Sequence, residues 1–60
     1  MIAGDVVKAN ENGLREESCD PNARYRLIRL TRHRDMWVAR DMSLPTLIVG
    51  LYARCYEKVK

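Results

Sequence analysis

The side chains in this sequence best suited to chemistry are five arginines within eleven residues: Arg24, Arg26, Arg29, Arg32 and Arg34. No acid and no lysine interrupts residues 24–34, so the segment carries a local charge of +5. A guanidinium is planar, always charged, bonds phosphates and carboxylates through two parallel N–H groups, and stacks on aromatic faces. Five of them in one run suit contact-making more than mere solubility. Just upstream, residues 10–23 set Glu11, Glu16, Glu17 and Asp20 against Arg15, a local charge of −3. Two consequences are open. The separated charges steer a partner, or the acidic segment folds over the arginines as an internal clasp.

The groups available for catalysis or metal binding are few. A structural zinc site takes four ligands, typically with close Cys or His spacing. Here Cys19, His33 and Cys55 stand far apart in sequence. A nucleophile needs a base and an orienting group in a cleft. His33, between Arg32 and Arg34, reads instead as a solvated turn residue. Gly4, Gly13 and Gly50 are isolated, so no glycine-rich phosphate loop exists. The expectation is a non-enzyme with no catalytic residue, cofactor or metal.

Size and composition bound the rest. A 60-residue chain builds one domain, residues 1–60, that buries about 60% of its unfolded surface. That leaves too few apolar side chains to form a core and also line a large substrate cavity. With 47% hydrophobic and 32% charged residues, the chain is globular rather than disordered. No apolar run reaches the length of a membrane span, and the opening residues lack a secretory pattern. The expectation is a complete, short, cytoplasmic protein with reduced thiols and no membrane partner, of a size that suits a phage or other mobile element.

The elements that must position the arginines follow from local pattern. Residues 6–9 form a first strand. Asn10-Glu11-Asn12-Gly13 is a dense turn signal, opening a polar loop of about 14 residues, a length often functional in small domains. Asp20-Pro21 is an alternative helix start. A single helix over residues 21–42 is excluded, because its apolar positions scatter around the whole circumference instead of forming one stripe. Two strands, residues 24–31 and 36–41, joined by the turn Arg32-His33-Arg34-Asp35, fit better. Alternation breaks between Leu27 and Ile28. A β-bulge there restores one inward face for Tyr25, Leu27, Ile28 and Leu30 and brings Arg26 and Arg29 together outside; otherwise both faces are partly covered. In the C-terminal stretch Leu47, Ile48, Leu51, Tyr52, Cys55 and Val59 share a helical face. Yet Gly50 opposes a helix, and Thr46-Leu47-Ile48-Val49 suits a buried strand.

The order of features resembles the Src-homology-3 (SH3-like) small barrel. The carriers are a short Gly4-Asp5-Val6-Val7 strand, a long acidic loop, two strands around a tight turn with Trp37 on the second, and the ending from Gly50 to Val59. Gly50, Leu51, Tyr52 and Tyr56 match that family's closing pattern of Gly-Leu-aromatic-Pro-x-x-Tyr. The resemblance implies an all-β fold: a five-stranded barrel with a long acidic loop and one 3₁₀ turn near the C-terminus. The family's opening Ala-Leu-Tyr-Asp-Tyr motif is absent, and Ala53 stands where its proline would be. The resemblance therefore carries the fold, and an aromatic face near Trp37 and Tyr56, rather than the proline-rich peptide ligand.

The expected function is a small binding module that docks on and modulates a host protein. Its binding residues would be Arg24, Arg26, Arg29, Arg32, Arg34, Trp37, Tyr52 and Tyr56, with Glu11, Glu16, Glu17 and Asp20 as the acidic loop. Nucleic acid bound by the arginine strand, with aromatics as stacking platforms, is the alternative. A structural or self-associating subunit is the second. Trp37 is expected to be partly exposed, with Met36, Val38 and Met42 as the inward set; Val7, Tyr25, Leu27, Leu51 and Val59 are the expected core.

Overall fold

The computed structural model describes residues 1–33 and 35–59; Arg34, part of the expected binding set, lies outside them. Among the described residues, five strands form one antiparallel sheet: β1 (Val6–Ala9), β2 (Tyr25–Leu30), β3 (Met36–Asp41), β4 (Ile48–Tyr52) and β5 (Tyr56–Lys58). Their order is β4-β3-β2-β1-β5, so the sheet is open, with β4 and β5 at its edges. A 3₁₀ turn, η1 (Ala53–Cys55), joins β4 to β5. The helical look of the C-terminal stretch is thus a strand followed by one tight turn. The strand starts later than expected and lies at an edge, mostly exposed.

The phase break in β2 is a register shift. Leu27 pairs with Ala39 and Arg29 with Val38, leaving Ile28 as the extra residue. Tyr25 and Leu27 before the shift, and Leu30 after it, therefore share one face. The shift does not bring all four apolar side chains inside. Leu27 is buried, but Ile28 at 38% and Leu30 at 45% exposure stay in contact with water. Ile28 is spent on the bulge, and Leu30 lies at the end of the strand.

The same registers reverse the expectation for β3. Trp37 pairs with Leu30 on one side and Leu51 on the other, and Ala39 with Leu27 and Val49. Trp37 and Ala39 are therefore inward, and Trp37 is only 9% exposed. Met36 and Val38 take the opposite face and are half-buried, while Met42 is exposed. Strand alternation allowed either parity inside. The neighbours decide, because Trp37 and Ala39, and not Met36 or Val38, meet Leu27, Leu51 and Val7 in one cluster. Of the expected core, Val7, Leu27 and Leu51 are buried; Tyr25 and Val59 are half-buried.

The polar segment after β1 is not one long loop. Residues Glu11–Glu16 form a short helix, α1, capped by Asn10, whose side-chain oxygen accepts the Gly13 N–H at 3.0 Å. The Asn-Gly pair thus starts a helix rather than a hairpin, and six residues are too few for hydrophobic periodicity to register. Asp20-Pro21 opens a turn, with the Asp20 carboxylate accepting the Asn22 N–H at 2.8 Å. α1 is fastened to η1. The Asn10 N–H donates to the Cys55 carbonyl at 2.9 Å, and the Asn10 amide donates to the Arg54 carbonyl at 2.9 Å. Gly13 is buried at this contact, where an added β-carbon would collide with the Cys55 carbonyl oxygen. Gly13→Ala is expected to destabilise the fold by about 1–3 kcal/mol through overpacking against backbone, seen as a lower urea midpoint with unchanged slope.

Candidate functional site

The shift at Ile28 positions the candidate site. Before it Arg26 pairs with Arg40, and after it Arg29 pairs with Val38, so all four side chains lie on the face opposite Leu27, Trp37 and Ala39. Across the sheet one row runs Val6, Arg26, Arg40, Ile48, and the next holds Arg29, Val38 and Gly50. Three guanidiniums therefore share one outward face with aliphatic side chains between and beside them. Met36 covers Gly50, its sulfur 3.2 Å from where a β-carbon would stand. Arg26 and Arg29 are exposed and, among the described residues, have no hydrogen-bond or ion-pair partner. Arg40 donates to the Pro45 carbonyl oxygen in the β3–β4 connection.

The remaining expected residues scatter. Arg24 donates to the carbonyls of Pro21 and Ala23, at 3.1 and 2.9 Å, and borders a shallow cleft of about 500 Å³ with Lys8, Glu11, Arg15 and Glu57. Arg32 and His33 are exposed in the β2–β3 turn. Trp37 faces the core and leaves the arginine face altogether. Tyr52 is 39% exposed, with the Arg54 guanidinium 4.5 Å over its ring. Arg54 also meets Asp35 at 3.4 Å. Arg40 and Arg54 were both missed. Neither belongs to the arginine run, and Arg40 reaches the face only through its pairing with Arg26.

Among the described residues, no ion pair joins the acidic segment to the arginine strand. The one ion pair of the acidic segment among the described residues is internal to α1, Arg15 to Glu11 at 2.6 Å, with both side chains exposed. The other ion pairs, Arg54–Asp35 and Lys58–Asp5, also bypass Glu16, Glu17 and Asp20.

A second, smaller cleft of about 230 Å³ is lined by Glu17, Cys19, Gly50, Leu51, Tyr52, Cys55 and Tyr56. Both cysteines are free thiols, Cys55 buried and Cys19 half-buried. The Tyr56 hydroxyl donates to the Cys19 sulfur at 3.4 Å, and its ring meets Tyr25 edge-on at 5.8 Å. Burial, then the hydrogen bond to Cys19, pushes the Tyr56 phenol well above its ordinary range. Burial and the charges of Asp41 and Asp20 raise Tyr25. Burial, followed by Glu17, raises the Cys55 thiol, with Arg54 opposing. Burial is the first cause of the rise in all three, and of them Cys55 and Tyr56 line this cleft. His33 lines neither cleft.

No protein-family model, no curated protein and no solved structure matches this chain.

Two predictions follow from this geometry. Like charges directly opposite on paired strands oppose folding, so Arg26→Thr is expected to raise stability by roughly 0.5 kcal/mol at low ionic strength. The gain should shrink as salt screens the pair, as read from urea midpoints in dilute and concentrated sodium chloride. The raised phenols and thiol favour the folded state while they are protonated. Their contribution is complete below the unfolded values, about 8.5 for Cys and about 10 for Tyr, and is lost as pH rises through the folded ones. The urea midpoint should therefore fall with alkali above about pH 9, and Tyr56→Phe should make that fall shallower.

Proposed function

We propose that this chain is a non-enzymatic docking module of SH3-like barrel form, and that its outward β2–β3 face binds an acidic surface of a partner protein. The barrel reading is supported by the strand order, with β5 returning beside β1, by the 3₁₀ turn between β4 and β5, and by the bulge that bends β2. The docking reading rests on one observation: Arg26, Arg29 and Arg40 share a face on which β2, β3 and β4 place no acid, the acid of that side, Glu57, standing across β1 opposite Lys8. Setting Arg26 against Arg40 costs stability, and an acidic partner offsets that cost.

The surroundings favour protein over nucleic acid. The guanidiniums are interleaved with Val38, Met36, Val6 and Ile48, and arginine and methionine are enriched at protein interfaces while lysine is depleted. Bound single strands are held largely by aromatic platforms. Here Trp37 faces inward, and Tyr52 is already stacked against Arg54.

Fluorescence anisotropy with a labelled polyglutamate peptide and, separately, a single-stranded oligonucleotide distinguishes the two. The peptide is expected to bind, and R26E/R29E to lose at least roughly tenfold in affinity, equivalent to about 1.4 kcal/mol. The oligonucleotide should bind less tightly than the peptide at every salt concentration. Tighter oligonucleotide binding with a steep salt slope would move the assignment to nucleic acid. Equal peptide binding by wild type and R26E/R29E would remove this face from the function.

A further inference from the structure

The two edges of the sheet differ in kind. β5 is three residues long and carries Glu57 and Lys58, and Lys58 reaches Asp5 at 3.7 Å. Short length and charge are the usual protections of an exposed strand edge. β4 has neither. It belongs to the twelve-residue stretch 42–53, which holds no charged side chain in a chain that is 32% charged. Among the described residues, no backbone hydrogen bond reaches Ile48–Tyr52 from the side away from β3. Proline is confined to the preceding connection, at Pro45. Exposed large apolar residues also concentrate here: Met42, Leu44, Leu47, Ile48 and Tyr52 are five of the ten in the chain's described residues.

We propose that the free edge of β4 is a self-association edge, occupied by the β4 of a second copy of this chain. The choice of occupant follows from charge. An acidic or basic segment finds no counter-charge between residues 42 and 53; the guanidiniums of the outward face stand on β2 and β3, with Arg40 one strand in from the edge, opposite Ile48. An identical uncharged strand meets no repulsion, satisfies the outward N–H and C=O groups, and sets the apolar Leu47 and Ile48 against an equally uncharged stretch of the second copy. The Gly50–Tyr52 end borders the smaller cleft beside Glu17 and Cys19, so pairing centres on residues 47–50. Antiparallel pairing about a twofold axis keeps the same face of both copies on the same side. The two arginine faces would then lie on one continuous sheet, so that a single extended acidic partner meets both. The self-pairing itself does not rest on the proposed docking function.

The test is sedimentation equilibrium of the full chain up to about 1 mM, joined to amide hydrogen exchange. Wild type is expected to shift from monomer to dimer mass as concentration rises, with protection growing at residues 47–50 over the same range. Ile48→Glu puts a charge on the edge but faces Arg40 on the paired strand, so the monomer should stay folded. Leu47→Lys, at an exposed position, is the second variant. Both are expected to remain monomeric throughout, with native circular dichroism. R26E/R29E should dimerise as wild type does, which separates this edge from the arginine face. A monomer mass for wild type at every concentration would overturn the proposal. So would a dimer that survives both edge substitutions, or one that leaves residues 47–50 unprotected.

Discussion

One extra residue in β2 governs both faces of this protein. Strand side chains alternate with a period of two, so a one-residue slip sends everything beyond it to the other side. The slip between Leu27 and Arg29 lets the strand put Leu27 and Leu30 on the core side and Arg26 and Arg29 on the solvent side. In a perfectly regular strand, Arg29 would follow Leu27 onto the core side, carrying an unpaired charge toward Trp37. The exposed position of Ile28 is the local cost of this arrangement. The core and the arginine face are two results of the same irregularity.

That core is small. Val7, Leu27, Trp37, Ala39 and Leu51 form its buried centre, with Trp37 the largest side chain among them. An open sheet of this size leaves one end of the core uncovered. Beside it, α1 and η1 grip each other through backbone contacts. Gly13 permits the close approach and Asn10 holds the register, accepting from the helix and donating to the turn. The cleft beside this clasp is lined by Cys19, Cys55 and Tyr56, with Tyr25 edge-on to Tyr56, and burial raises the Cys55 thiol and both phenols.

Charge is distributed to the opposite effect outside. Arginines converge on the β2–β3 face where mutual repulsion works against stability, while acids gather in and after α1 without neutralising them. The longer edge of the sheet is left without charge altogether. A chain selected only to be stable and monomeric would pair the first set and protect the edge.

Local sequence was enough for properties that depend on neighbours along the chain. These were the first three strands, the site of the bulge at Leu27 and Ile28, and the segregation of acids from arginines, each of which follows from alternation, turn chemistry or a simple count. The five-strand layout and the short turn before the last strand came instead from the resemblance to SH3-like barrels, since periodicity left the C-terminal stretch open between helix and strand. Local sequence did not determine which side of β3 faces inward, because Trp37/Ala39 and Met36/Val38 alternate equally well. Only pairing with Leu27 and Leu51 separates them. Nor did it reveal α1, too short for periodicity and held largely by its contact with Cys55, or Arg40, distant from the arginine run until β3 lies against β2. Periodicity within a strand or helix is a local property. Facing, capping against a distant turn and assembly of a charged face belong to register between strands, and register exists only once the sheet has formed.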